Sequence, residues 1–138
     1  MRRWPTGLGR PGIVQGLHTR QVKVFLVEDA PLLRERLEAM LNAIPGVQTV
    51  GHAAEAEPAV ECILAAGADA VVLDIQLARG SGFDVLRALQ SRAPQIAVYV
   101  LTNFATDGYR KAAERLGARG FFDKSNDIGL LRQALSPK

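Results

Sequence analysis

Cysteine is nearly absent from this chain of 138 residues, in which Cys62 is the only one. A single thiol excludes a disulfide framework within the chain, and this is typical of proteins from a reducing compartment. Cys62 lies in an apolar helical pattern, so we expect it in the core rather than as a reactive thiol. We therefore predict a cytoplasmic protein that folds without disulfides.

Long apolar runs are lacking too. No segment approaches the roughly 20 apolar residues that a membrane-spanning helix needs, and the N-terminus lacks the apolar centre of a secretory signal. The chain is 48% hydrophobic and 22% charged, which is typical of a globular protein, and its length suits one domain with its own core. We expect no association with membranes.

Acidic residues are absent from residues 1–20, which contain four arginines. This segment accounts for the net charge of +3, since the other residues include 13 basic and 14 acidic side chains. Such a balance predicts no direct nucleic-acid binding by the folded part. Because residues 1–20 are also rich in Gly and Pro, we predict a flexible basic leader there and one domain at 21–136. The alternative is a basic arm, anchored by Trp4, that contacts nucleic acid or an acidic partner.

Strands and helices alternate along the rest of the sequence, because short β-branched apolar segments are separated by segments with helical spacing of apolar residues. Strict alternation predicts a doubly wound, five-stranded parallel sheet with five helices on its two faces. The predicted strands are Val22–Val27, Gln48–Ala53, Ala70–Leu73, Ile96–Leu101 and Gly120–Asp123. The predicted helices run from Pro31 to just before Pro45, over Glu55–Ala66, Phe83–Arg92 and Asp107–Leu116, and from Asn126 or Asp127 to Leu135.

Four of the predicted strands end in a charged or hydroxyl side chain. Glu28 and Asp29 follow the first strand and Asp74 the third, while Thr102 and Lys124 follow the fourth and fifth. The carboxyl ends of such strands line the crevice in which open α/β sheets bind ligands. Two carboxylates about 4 Å apart repel by roughly 4 kcal/mol at an effective dielectric of 20. A hard cation such as Mg²⁺ relieves this repulsion, and carboxylates beside it can form aspartyl phosphates.

Five short motifs occur in order along the chain, and together, at their spacings, they are specific although each alone is weak. They are Phe25-Leu26-Val27-Glu28-Asp29, Val71-Val72-Leu73-Asp74, Leu77 with Gly80-Ser81-Gly82, Val100-Leu101-Thr102, and Gly117-Ala118 with Gly120-Phe121-Phe122-Asp123-Lys124-Ser125. On these motifs the chain from Gln21 to Ser136 resembles the receiver domain of two-component response regulators. That resemblance implies a flavodoxin-like fold. The pattern of a serine directly after the lysine resembles the receivers that accompany helix-turn-helix output domains.

The resemblance implies a role for each polar strand end. Asp74 is expected to accept a phosphoryl group from a histidine kinase or phosphotransfer protein, and Thr102 and Lys124 to contact that group. Phe121 lies at the aromatic switch position, three residues before the lysine. The helix Asp107–Leu116, the last strand and the last helix would form the surface that dimerises or binds a partner.

The resemblance also implies Mg²⁺ as the cofactor. Asp29 and Asp74 would bind the cation directly, together with the backbone carbonyl of Gln76. Glu28 would lie nearby and act through water. An aspartate-nucleophile phosphatase would have a second acid, and a cobalamin carrier a histidine, at the position of Gln76, so both are disfavoured.

Three departures from the family pattern surround the predicted phosphoacceptor. Ala78 stands where proline is frequent, and Asn103 where a small residue is usual. Gln76 and Phe104 occupy positions that tune dephosphorylation in the family, and the apolar Phe104 cannot orient a hydrolytic water. We therefore hypothesise a long-lived phosphoryl state, which rapid autodephosphorylation would contradict.

The sequence thus predicts a single-domain response regulator, a phosphoprotein that switches a partner- or self-binding surface, with possible homodimerisation. We expect no enzymatic activity beyond its own phosphorylation and autodephosphorylation. Two alternatives stay open: an adaptor of pseudo-receiver type that acts without phosphate, and the receiver fragment of a longer DNA-binding regulator.

Overall fold

A computed structural model describes residues 21–137 of the chain. The predicted basic leader at 1–20, with the Trp4 alternative, lies outside the described residues. Within 21–137, every helix is too short or too polar to span a bilayer.

Five strands and five helices alternate along the described chain, as predicted. The strands are β1 (Val22–Val27), β2 (Val47–Ala53), β3 (Ala70–Leu73), β4 (Ala97–Thr102) and β5 (Gly120–Asp123). The helices are α1 (Pro31–Asn42), α2 (Ala56–Ala66), α3 (Gly82–Arg92), α4 (Asp107–Arg115) and α5 (Ile128–Leu135). All strand pairs are parallel and the order is β2-β1-β3-β4-β5. The predicted doubly wound, five-stranded sheet of flavodoxin-like type is confirmed.

The strand order positions the site. From β1 the chain first moves outward to β2, and then returns to place β3 on the other side of β1. Connections therefore diverge between the carboxyl ends of β1 and β3, and this switch point is where doubly wound sheets open a crevice for ligands. Residues that follow β1 and β3 line that crevice.

The apolar core lies on both faces of the sheet, which explains the uninterrupted apolar sequence of β3. Phe25 and Val27 face one cluster, which α2, α3 and α4 cover. Val24 and Leu26 face the second cluster, beneath α1 and α5. Successive residues of β1 therefore pack on opposite faces of the sheet, and both faces are buried.

Several boundaries differ from the predictions by one residue. The clearest case is β4, which is Ala97–Thr102 rather than Ile96–Leu101. Thr102 pairs with Asp123 of β5, so it belongs to the ladder instead of following it. Likewise, α4 ends before Leu116, close to Gly117 with its positive φ of 90°.

The prediction that Cys62 lies in the core is wrong, because its side chain is exposed. The buried stripe of α2 passes through Ala59, Val60 and Ile63. Cys62 is next to this stripe in sequence, but it lies on the solvent side of the helix.

Candidate functional site

Polar residues that are remote in sequence meet at the carboxyl edge of the sheet. Val27 of β1 pairs with Leu73 of β3, so Glu28 and Asp74 leave their strands at the same level. Of the residues 21–137, three polar side chains are buried, namely Glu28, Asp74 and Thr102, and all three lie at this edge. Since buried polar groups are costly unless they are paired, their concentration here marks a site.

Lys124 lies at the centre of the cluster. Its Nζ donates to Glu28 Oε1 and to Asp74 Oδ2, each at 2.8 Å. The Lys124 side chain is 10% exposed, and those of Glu28 and Asp74 are 3% and 5% exposed. One ammonium therefore offsets two buried carboxylates, and the group retains a net negative charge when all three are ionised.

A second oxygen of Glu28 and one oxygen of Asp29 accept hydrogen bonds from the backbone of neighbouring loops. Glu28 Oε2 accepts from the backbone N–H of Ala30 at 3.1 Å. Asp29 Oδ2 accepts from the N–H of Ala78 at 2.6 Å, which joins the loop after β1 to the loop after β3. These hydrogen bonds fix the orientation of the Glu28 and Asp29 carboxylates in the crevice.

Three carboxylates form a candidate metal centre. One oxygen each from Glu28, Asp29 and Asp74 lie within 4.8 Å of one another. Carboxylate oxygens are the ligands that Mg²⁺ takes, together with water molecules that it retains. The donor set and the residual negative charge of the cluster fit that cation. The ligand role of the Gln76 carbonyl stays a prediction; the structure places Gln76 beside Asp74, with its N–H donating to Asp74 Oδ1 at 3.1 Å.

The pKa values of two groups reflect the crowding. Burial raises the pKa of the Glu28 carboxyl above 4.5, although the hydrogen bond from Lys124 opposes the shift. Burial lowers the pKa of Lys124, but hydrogen bonds to Asp74 and Glu28 outweigh it, so that pKa is raised above 10.5. The contribution of Lys124 to stability is therefore complete below pH 10.5 and is lost as the pH rises through its folded-state pKa. Ionisation of Glu28 acts against folding as the pH rises above 4.5.

Thr102 is fully buried at the end of β4. Its Oγ1 accepts from the N–H of Phe104 at 3.1 Å, which leaves the hydroxyl hydrogen available for an acceptor in the crevice. Four of the sequence-predicted residues, Glu28, Asp29, Asp74 and Lys124, are thus brought together, with Thr102 at the end of the strand between β3 and β5.

Phe121 lies on the neighbouring strand β5 and is 8% exposed. The guanidinium of Arg110 from α4 lies over its ring at 4.7 Å, and Arg110 Nη1 donates to the Phe121 carbonyl at 3.4 Å. A cation over an aromatic face is attractive, so Arg110 fastens the aromatic residue in this buried position. Sequence reasoning missed Arg110, because no motif distinguishes it from the other basic residues of α4.

Gly82 allows α3 to begin directly against the end of β3. A Cβ at this position would lie 2.2 Å from the carbonyl oxygen of Asp74 and 2.7 Å from the Cα of Ile75. Both are backbone atoms, so a methyl group there must displace the end of β3. We expect Gly82→Ala to destabilise the protein by about 1–3 kcal/mol, the usual range for overpacking, as measured by urea unfolding.

Gly108→Ala is the matched control for this substitution. It adds the same methyl group near the start of α4, where nothing lies within 4 Å of the new Cβ. Equal unfolding midpoints for the two variants would show that the close approach at Gly82 is absent in solution.

Comparison with known proteins identifies the chain's family. Residues 24–136 match the family model of the response regulator receiver domain. The chain belongs to this family. The receiver domain of the response regulator NarL from Mycobacterium tuberculosis superposes on this receiver with a TM-score of 0.77 at 27% identity, covering 83% of this chain and 93% of that one. The resemblance inferred from the sequence is confirmed.

Curated relatives of this receiver are longer proteins. It is 37% identical over 103 residues to the DNA-binding transcriptional activator DevR/DosR of Mycobacterium tuberculosis, covering 75% of this chain and 48% of that protein. It is 33% identical over 123 residues to protein-glutamate methylesterase/protein-glutamine glutaminase 5 of Anaeromyxobacter dehalogenans, covering 80% of this chain and 34% of that protein. The chain thus spans about a third to a half of the length of these two relatives.

The second relative corrects one prediction. We expected no enzymatic activity beyond phosphorylation and autodephosphorylation, but a protein named as an esterase and glutaminase is 33% identical to this chain over 123 residues. The receiver motifs describe only the crevice at the sheet edge, so they carry no information against catalysis by the protein to which a receiver belongs. The exclusion was therefore wrong.

Proposed function

We propose that this receiver accepts a phosphoryl group on Asp74 from a histidine kinase or phosphotransfer protein, in a reaction that depends on Mg²⁺. The observation that carries the proposal is the concentration of buried polar side chains at one sheet edge: Asp74, Glu28 and Thr102, with Lys124 bonded to the two carboxylates. A cytoplasmic location is part of the proposal and is supported by the single cysteine.

The proposed transfer uses the charges of the crevice. A carboxylate oxygen of Asp74 forms a bond to phosphorus, the bond from phosphorus to the donor atom breaks, and its electron pair stays with the donor. Lys124 and Thr102 then donate hydrogen bonds to phosphoryl oxygens. Asp29 and Asp74, with the Gln76 carbonyl and with Glu28 nearby, would hold Mg²⁺, which supplies positive charge against the anionic phosphoryl group.

The free energy of these contacts is large enough for a switch. Two charge-assisted hydrogen bonds contribute roughly 3–6 kcal/mol, and shifting a two-state equilibrium from 1:99 to 99:1 needs about 5.5 kcal/mol. Val100, two residues before Thr102, pairs with Phe121 of β5. A displacement of Thr102 toward the phosphoryl group would therefore move the end of β4 that pairs with the strand of Phe121. We propose that α4, β5 and α5 form the surface that binds a partner or a second copy.

Labelling with acetyl [³²P]phosphate tests this function. We expect close to one phosphoryl group per chain in the presence of Mg²⁺, loss of labelling with EDTA, and release of the label by hydroxylamine, which cleaves acyl phosphates. Beryllofluoride with Mg²⁺ should change the association state on size exclusion. A folded chain that takes up no label would favour the phosphorylation-independent adaptor instead.

One relative favours a second candidate for the biological setting. The similarity to DevR/DosR, a DNA-binding transcriptional activator, supports a receiver that controls DNA binding from within a longer regulator. Phosphotransfer is common to both settings, and they differ in what the switched surface binds. Single-domain action predicts binding of a separate partner or a second copy by the phosphorylated chain itself.

A further inference from the structure

A side-chain hydrogen bond joins the loop after Asp74 to the first turn of α4. Gln76 Nε2 donates to the hydroxyl of Tyr109 at 3.2 Å, across 33 positions of sequence. Neither side chain takes part in the contacts of Lys124 with Glu28 and Asp74. The hydrogen bond links the loop after the proposed phosphoacceptor to a helix of the proposed binding surface.

Both ends of this hydrogen bond are anchored. The N–H of Tyr109 donates at 3.2 Å to Oγ1 of Thr106, the N-cap residue of α4. The Tyr109 ring packs edge-on against Phe83, with 5.6 Å between the ring centroids. Gln76 is held at its backbone by Asp74 Oδ1. A fixed hydroxyl therefore selects one direction for an exposed glutamine side chain that would otherwise sample many.

The direction of this side chain matters for hydrolysis of the proposed aspartyl phosphate. In that reaction a water oxygen forms a bond to phosphorus and the bond to the Asp74 oxygen breaks. The electron pair returns to the carboxylate, and inorganic phosphate and a proton leave. A glutamine amide can orient the attacking water in phosphoryl transfer. The backbone N–H of Gln76 lies 3.1 Å from Asp74 Oδ1, so its side chain starts close to the carboxylate. Phe104, which is 49% exposed near the same crevice, offers water no polar side chain.

We propose that Tyr109 is a positioning residue that holds the Gln76 amide away from the hydrolytic water and so prolongs the phosphoryl state. The inference rests on the proposed phosphorylation of Asp74, and it assigns the hypothesised long life of the phosphoryl state to a hydrogen bond as well as to the apolar Phe104.

The test is the decay of label after removal of the phosphodonor, in the presence of Mg²⁺. Tyr109→Phe keeps the ring against Phe83 and removes only the hydroxyl. Loss of one net hydrogen bond shifts a population by about two- to tenfold, so we expect the variant to lose its label about two to ten times faster than the wild type. The melting temperature should fall by only a few degrees, because one exposed hydrogen bond contributes about 1 kcal/mol.

Two further variants separate positioning from a general structural effect. Tyr99→Phe removes the same atom from the half-buried tyrosine of β4 and should decay like the wild type. Gln76→Ala with Tyr109→Phe should decay like Gln76→Ala alone, because the released amide is absent from both proteins.

Unchanged or slower decay in Tyr109→Phe would overturn the inference. So would faster decay that persists in the Gln76→Ala background, since another group, such as the exposed Asn103, would then orient the water. A wild type that takes up no label would overturn the proposed function and this inference together, whereas a labelled wild type with unaltered decay in Tyr109→Phe overturns only this one.

Discussion

Asp74→Asn is expected to abolish phosphoryl uptake, with labelling below about 1% of the wild-type level. The substitution keeps the size and shape of the side chain but replaces the anionic carboxylate, which can attack phosphorus, by a neutral amide that is a far weaker nucleophile. Lys124 retains Glu28 as its second partner at 2.8 Å, so the crevice keeps an ion pair. The measurement is incorporation from acetyl [³²P]phosphate with Mg²⁺.

Asp84→Asn is the matched control for this substitution. Asp84 lies exposed on α3, where it contacts Arg87 of the next turn, and such surface pairs contribute only about 0.3–0.5 kcal/mol. The control should take up label like the wild type, and circular dichroism should show both variants folded. Substantial labelling of a folded Asp74→Asn protein would place the phosphoacceptor elsewhere and refute the proposed function.

The approximate position of the site could be predicted because it depends on topology. Parallel strands joined by helices must present their carboxyl ends at one edge, so Asp29, Asp74 and Lys124 could be assigned to one crevice from their places after strands. Their motif spacing then indicated the family. The same logic predicted helices on both faces of the sheet, which agrees with the two apolar clusters of the structure.

Contacts between side chains from different elements could not be predicted. Nothing in the spacing shows that Arg110 covers Phe121 or that Tyr109 bonds Gln76, because these pairs depend on how α4 lies on the sheet. The prediction that Cys62 is buried failed for a related reason. An apolar helical pattern locates the buried stripe only approximately, and a residue beside the stripe can face solvent.

Because Lys124 contacts both Glu28 and Asp74, we expect its substitution to cause a large loss of stability. Lys124→Met keeps a long side chain but removes the ammonium between Glu28 and Asp74. Breaking a buried ion pair by removing one partner costs about 3–5 kcal/mol, because the remaining charge is left uncompensated. We expect this loss of unfolding free energy at pH 7 without added divalent cations, and a melting temperature that is lower by roughly 10–20 °C.

The same electrostatic account predicts how stability is recovered. Mg²⁺ should raise the melting temperature of Lys124→Met more than that of the wild type, since an added cation offsets carboxylates that lack their lysine. Lowering the pH toward 5 should also narrow the deficit, because burial already raises the pKa of Glu28 above 4.5 and protonation removes one of the repelling charges. Adding Asp74→Asn to Lys124→Met should restore part of the stability for the same reason.

Lys111→Met provides the control, because Lys111 lies exposed on α4 and surface substitutions usually change stability by less than about 0.5 kcal/mol. If Lys124→Met had the same melting temperature as this control in the absence of Mg²⁺, the lysine would not be bonded to buried carboxylates in solution. The crevice would then lack the charge balance on which the proposed phosphoryl transfer to Asp74 depends. A deficit that Mg²⁺ reduces, by contrast, would show that the metal and Lys124 act on the same carboxylates.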